Sequence, residues 1–554
     1  MAESANIARH LPSMATSQPD RVAIKVPRGR TGDGRIDYLA LSFRELDSEV
    51  DAWVARLEAR GVRRDDRVLV MVRQGLPLIA AAFALFKLGA VPVIIDPGMG
   101  RQNFLSCVAR SKPRVLLGIP RAQLLSYFFR RAFGTIEVRV WASGSPTARC
   151  AGTGRAQLAE RAPSDLAAVL FTSGSTGAPK GVCYEHGMFE AQVRLIRETY
   201  AIQPGEVDLP MLPIFALFNP ALGMTTIVPE IDPSRPADAD PSKIVQAIQQ
   251  EGVTNSFGSP TLWRKIALHC QSKGIVLPTV QRVLMAGAPV PPALFRDVQA
   301  LLPHGAAHSP YGATEALPLC SISAAQIDAA ATLTGRGTCV GKPMAGIEVK
   351  IIALSDRALD SLASAQELPA GQIGEIMVRG PVVTKVYDFL PDDTVRAKIP
   401  DMPPWHRMGD VGYLDESDRL WFCGRKAERV ETRDGTLYPD QVEPIFNAHA
   451  GIRRSALIGL GPRGSQRAAL VVEPISQAIV ATPSLRRKLV RELRALGAAH
   501  PHTDLIRLAF LHPRFPVDVR HNAKIHRLKL TSWAARHSGY EMDKRDVSIA
   551  SLQR

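Results

Sequence analysis

The sequence predicts an α/β protein of layered, largely parallel sheets, followed by a small separate αβ unit at the C-terminal end. Three observations lead there. β-Rich runs alternate with helical patterns: residues 68–72 precede an apolar helix through Phe86, and residues 91–95 and 167–172 supply further strands. Such alternation marks parallel sheets, because a parallel pair needs a crossover between its strands. A chain of 554 residues also exceeds one hydrophobic core, which stops growing near ~250–300 residues. Finally, Arg419-Leu420-Trp421-Phe422-Cys423-Gly424-Arg425 reads as a strand that stops at Gly424, and a fresh pattern follows: helix 442–448, strands 455–460 and 468–472, helix 484–496. The expected units are therefore 1–424 and 425–554.

The longest apolar run, residues 75–95, contains Pro77, Lys87, Gly89 and Pro92, which suits a buried helix and then a strand better than a membrane span. Residues 231–241 and 355–371 read as surface connections. In helix 484–496 the leucines at 485, 489, 493 and 496 share one face, the usual stripe of a helix packed on a sheet.

Composition narrows the function. Hydrophobic residues make up 46% and charged residues 22%, which argues against long disordered stretches. The net charge of +15 is scattered, with local runs such as Arg130-Arg131 and Arg486-Arg487-Lys488. It suits polyanionic ligands such as nucleotides, but without a basic tract interleaved with aromatics it does not make a nucleic-acid binder. Seven cysteines, widely spaced and with no CxxC pair, argue against a disulfide framework or a zinc ribbon and favour a reduced, cytoplasmic setting. No secretion signal or transmembrane segment is expected.

The strongest local signal is Leu170-Phe171-Thr172-Ser173-Gly174-Ser175-Thr176-Gly177-Ala178-Pro179-Lys180-Gly181. Here an apolar strand runs into a glycine-punctuated hydroxyl loop closed by lysine. Glycines let backbone amides turn toward an anion, hydroxyls add donors and Lys180 adds a point charge, so phosphate oxygens are the natural ligand. The Gly-Lys-Ser/Thr ending of a Walker A loop is absent.

This loop resembles that of the acyl-adenylate-forming superfamily of acyl-CoA synthetases, adenylation domains and luciferases, and further motifs follow in the family's order. Gly287-Ala288-Pro289 resembles the adenine-contacting segment, and Tyr311-Gly312-Ala313-Thr314-Glu315 the motif that stacks on adenine. By resemblance, Thr172, Ser173, Gly174, Ser175, Thr176, Gly177 and Lys180 hold the β- and γ-phosphates of ATP. Tyr311 stacks on adenine beside Gly312, Thr314 contacts the α-phosphate and Glu315 holds Mg²⁺. Met408-Gly409-Asp410 resembles the ribose motif and Gly424-Arg425 also reaches the ribose. Lys524, in Arg520-His521-Asn522-Ala523-Lys524, matches the mobile catalytic lysine. The resemblance implies the adenylate-forming fold: a large N-terminal domain with a β-barrel-like part and a small mobile α+β lid.

Departures point to a narrower group. Ala216 follows Phe215 where a histidine or aromatic is common, Ala427 stands at the hinge position, and Ala523-Lys524 replaces Gly-Lys. With 215–223, Phe257-Gly258-Ser259-Pro260 and His406-Arg407-Met408-Gly409-Asp410, this resembles the β-lactone synthetases of bacterial long-chain olefin biosynthesis. That implies a 2-alkyl-3-hydroxy fatty acid substrate, ATP, Mg²⁺ and work beside other olefin-synthesis enzymes. Phe215, Phe218, Phe257 and Met285 are the expected lining of the acyl pocket. His186 is more readily a structural residue than a base for the hydroxyl.

Overall fold

The apolar run after Gly75 folds as the helix Leu76–Leu88, with Pro77 in its first turn and Gly89 as a left-handed cap at φ 77°. Every residue from Ile79 to Lys87 is buried, the pattern of a helix sandwiched between layers. Lys87 carries its charge inside by bonding Asp47 at 3.0 Å and Asp51 at 2.5 Å on the neighbouring helix Phe43–Ala59. A buried cation needs such partners.

The structure is a computed structural model that describes residues 4–142, 154–172, 178–232, 238–327, 335–517 and 525–542. A six-stranded sheet runs in space as Val138–Trp141, Val115–Gly118, Arg67–Met71, Val91–Ile95, Leu166–Thr172 and Lys180–Glu185. Its pairings are parallel except the last. The second sheet has 14 strands with a parallel middle: Ala306–Ala313, Arg282–Met285, Asn255–Gly258, Val207–Pro210, Thr225–Ile227 and Val22–Arg30. One hydrophobic core joins the helices to both sheets, from Val68 and Phe83 to Phe257 and Leu284.

The barrel-like part expected from the resemblance is absent: the large sheet is open, ending at Glu348–Ile352 on one side and Ile36–Ser42 on the other. A barrel requires its first and last strands to pair with a fixed stagger. Here curvature is taken up by irregularities in register, such as those between Cys339 and Gly341 and between Val411 and Gly412.

Strand Leu420–Arg425 still belongs to the large sheet. Beyond it, Ile452–Leu460, Arg467–Pro474, Leu508–Leu511 and Tyr540–Glu541 form a separate four-stranded sheet. Helices Pro439–Asn447 and Pro483–Ala498 pack on it through a core that includes Phe446, Leu457, Leu470, Leu489 and Leu493. Among the described residues no helix is long and apolar enough to cross a membrane, and six cysteines are buried and free.

Candidate active site

A cavity of about 1700 Å³ lies between the large sheet and the C-terminal unit, and Lys180, Gly287, Ala288, Pro289, Tyr311, Gly312, Thr314, Glu315, Asp410 and Arg425 line it. Strand Leu166–Thr172 delivers the hydroxyl loop, and the register returns Lys180 opposite Thr172. Lys180 Nζ sits 2.8 Å from Asp393 and 4.9 Å from the centre of the Tyr387 ring. A Cβ at Gly181 would lie 2.8 Å from the Phe171 ring, so the strand needs glycine where the chain comes back. Ser173, Gly174, Ser175, Thr176 and Gly177 lie outside the described residues.

Thr314 and Glu315 form the turn between the antiparallel strands Ala306–Ala313 and Ala316–Ser323. Gly312 is obligatory here, because a Cβ would stand 2.6 Å from the Ala316 carbonyl oxygen. The turn is pinned from three sides. The Tyr184 hydroxyl donates to the Thr314 carbonyl at 2.5 Å, Thr384 donates its N–H (2.8 Å) and hydroxyl (3.0 Å) to the Glu315 carbonyl, and the Tyr387 hydroxyl donates to Glu315 Oε1 at 2.9 Å. The buried Lys398 donates to the Thr384 carbonyl, and burial pushes its ammonium down to about 7. A carboxylate held on so fixed a turn suits a hard cation such as Mg²⁺, which takes one or two carboxylates and completes its shell with phosphate and water oxygens.

Asp410 and Arg425 are direct cross-strand partners on Trp405–Leu414 and Leu420–Arg425. Arg425 Nη1 lies 2.7 Å from Asp410 Oδ1, while the Tyr311 hydroxyl donates to Oδ2 at 2.6 Å. Burial pushes the Asp410 carboxyl up, and Arg425 opposes that shift. Gly287, Ala288 and Pro289 line the same wall, with Gly287 at φ 96°. Lys524 lies outside the described residues; its neighbours Ile525 and Arg527 line the cavity, Arg527 bonding Glu428 and Glu443 at 2.8 Å each.

At its apolar end, Phe215, Phe218 and Phe257 line the cavity, the rings of Phe215 and Phe257 only 3.9 Å apart centre to centre. Met285 does not line it. It is fully buried in the core on the other face of the sheet, and strand alternation turns its neighbours Leu284 and Ala286 to the cavity instead. Three polar residues that the sequence reading missed stand on this wall: Asp208, Asn219 and Asn255. Asn219 Nδ2 donates to Asp208 Oδ2 at 3.0 Å and Asn255 Nδ2 to Oδ1 at 2.6 Å, while burial pushes the carboxyl up to about 6. Asp208 and Asn255 are parallel register partners 47 positions apart, so no local motif announces them. His186 is structural: its Nδ1 accepts the Ile7 N–H at 3.3 Å and burial pushes it down to about 4.

Residues 11–388 match the family model described as AMP-binding enzyme, more than half of the chain. The chain belongs to the AMP-binding enzyme family. It is 46% identical to an olefin beta-lactone synthetase of Xanthomonas campestris pv. campestris, over 97% of this chain and 98% of that one. It is 44% identical to another of Stenotrophomonas maltophilia, over 98% and 100%. Within the AMP-binding enzymes it groups with these proteins, and it is an acyl-adenylate-forming enzyme. Among solved structures, the amide bond synthetase McbA from Marinactinospora thermotolerans superposes with TM-score 0.77 at 22% identity, over 96% of this chain and 99% of that one. ATP-bound MatB from Rhodopseudomonas palustris gives TM-score 0.77 at 21% identity, with the same coverages. These two establish the adenylate-forming fold.

Proposed function

We propose that this AMP-binding enzyme is an ATP-dependent β-lactone synthetase acting on a 2-alkyl-3-hydroxy fatty acid in olefin hydrocarbon biosynthesis. The observation that carries the reading is identity of 44–46% over 97–98% of the chain to olefin beta-lactone synthetases, supported by a cavity lined by Tyr311, Asp410 and Arg425 as well as by Phe215, Phe218 and Phe257. The substrate carboxylate attacks the α-phosphorus of ATP; the bond to the β-phosphate breaks and pyrophosphate leaves. The 3-hydroxyl oxygen then attacks the activated carbonyl, the acyl–phosphate bond breaks with AMP, and the hydroxyl proton is released. A tethered hydroxyl is present at high effective concentration, so no second substrate is required.

In this reading Lys180 and the loop at 172–177 hold the β- and γ-phosphates, Gly287, Ala288, Pro289 and Tyr311 hold adenine, and Asp410 with Arg425 holds ribose. Thr314 contacts the α-phosphate. Glu315 holds Mg²⁺, which offsets phosphate charge. Lys524 stabilises the charge that builds at phosphorus, an electrostatic contribution. Phe215, Phe218 and Phe257 receive the alkyl arms. Residues 425–554 act as a lid on 1–424, and the protein works in the cytoplasm beside other olefin-synthesis enzymes.

The test is product identity: a defined 2-alkyl-3-hydroxy acid with ATP and Mg²⁺, with and without CoA, read by NMR. The β-lactone is expected in both reactions. Thioester formed only with CoA, and no lactone, assigns the enzyme to the acyl-CoA synthetases.

A further inference from the structure

Among the described residues, the helix Pro120–Phe128 turns an uncovered face to solvent. Leu124, Tyr127 and Phe128 follow i, i+3, i+4 spacing and are 58%, 53% and 76% exposed. Trp141, 43% exposed, ends the adjoining edge strand Val138–Trp141, which Gln123 ties to the helix by donating to the Val140 carbonyl at 2.9 Å. Exposed large apolar side chains are ordinary when scattered; four together, three of them aromatic, are a patch.

Charge identifies what covers it. Residues 112–141 hold six Lys or Arg and one acid, Glu137. Glu137 is engaged by Arg114 at 3.3 Å, and the helix itself contains no acid. Arg121, Arg130 and Arg131 are exposed, and among the described residues none makes an ion pair. Arg139 lies 4.7 Å over the Tyr127 ring, holding a cation beside the apolar face. Aromatic rings flanked by arginines match the water–lipid boundary, where rings settle at headgroup depth and cations meet anionic phosphates. The area also decides between partners. Four partly exposed side chains present roughly 400 Å², about half of what one side of a stable protein interface buries, yet enough for shallow insertion.

We infer that the face formed by Leu124, Tyr127, Phe128 and Trp141 with its ring of arginines docks the enzyme on an anionic lipid surface. It goes beyond the proposed lactone chemistry and does not depend on it. The face lies at the far edge of the six-stranded sheet, with three strands between Val138–Trp141 and the strand that delivers the phosphate loop. Docking there leaves the cavity unaltered.

The test is co-sedimentation of the full chain with phosphatidylcholine vesicles, with and without roughly one-third phosphatidylglycerol. The wild type is expected to pellet with the anionic vesicles and to stay largely in solution with the neutral ones. Leu124→Ser/Tyr127→Ser/Phe128→Ser should abolish pelleting. Arg130→Gln/Arg131→Gln should weaken binding roughly thirtyfold, the equivalent of about 1 kcal/mol per cation removed. ATP–pyrophosphate exchange unchanged in both variants certifies their folding. A wild type that stays in solution with anionic vesicles overturns the inference, as do variants that pellet like it. Self-association without vesicles that the triple variant removes, with no vesicle binding, reassigns the face to a protein interface.

Discussion

At the end of the cavity where the motifs meet, the walls carry ion pairs and hydrogen bonds on strands and one turn: Asp410 with Arg425 and Tyr311, Lys180 with Asp393, and Glu315, on its turn, with Tyr387. At the acyl end they are ring faces and strand side chains, with one buried polar trio around Asp208. The first end offers charges and hydrogen-bonding groups, the second apolar surface, so under the proposed function the two recognise different parts of the reactants. Substitutions at the two ends should therefore fail differently, in nucleotide affinity and rate at one and in acid selectivity at the other.

The largest effect is expected from Asp410→Ala, which leaves Arg425 without its anion and Tyr311 without its acceptor. Breaking a buried pair costs about 3–5 kcal/mol, so urea midpoints should fall together with ATP affinity. An unchanged ATP affinity would separate this pair from the nucleotide. Lys524→Ala should lower ATP–pyrophosphate exchange by about 10²–10³-fold, while calorimetry shows ATP binding little changed.

Asp208→Asn tests the acyl end through pH. Its carboxyl is raised from 3.8 to about 6, so its contribution to folding is present in full below the unfolded value and is lost as pH rises through about 6. The stability of Asp208→Asn relative to wild type should therefore improve by roughly 2–3 kcal/mol between pH 4 and pH 8 in urea titrations. A constant difference would show that folding leaves the Asp208 carboxyl at its ordinary value. Phe215→Ala should raise the KM for the acid about tenfold, near 1.5 kcal/mol of lost apolar contact, and leave the KM for ATP alone. The smallest effect on catalysis is expected at His186: with its pKa near 4, His186→Gln should leave the pH profile of exchange unchanged between pH 6 and 8.

The same contrast explains what could be read from the chain alone. Two of the motifs were legible because they sit on short stretches whose glycine has a steric reason: Gly181 against Phe171, Gly312 against the Ala316 carbonyl. The helix at 76–88 and the strand at 91–95 were legible from apolarity, since a buried element needs no polar face. The acyl end draws single residues from strands far apart in sequence. A phase error of one residue there is enough to name Met285 where Leu284 and Ala286 face the cavity. Asp208 and Asn255 become neighbours only through a parallel register, and the openness of the large sheet is likewise a property of its edges that no local pattern encodes.

Glu375, almost fully buried in the cavity wall, binds both Arg407 (2.6 Å) and Lys426 (2.9 Å). Lys426 is thereby moored to the large sheet, whereas Glu428, two residues on, is moored to Arg527 of the C-terminal helix Arg527–Ala534. Only Ala427 stands between the two anchorages. Beyond that residue the C-terminal unit is tied back to Asp356 twice, by Arg429 at 3.4 Å and by Arg463 at 3.1 Å. Two ion pairs that face opposite units thus flank a single exposed residue, Ala427, and the double tie at Asp356 joins the same two units a few residues further on.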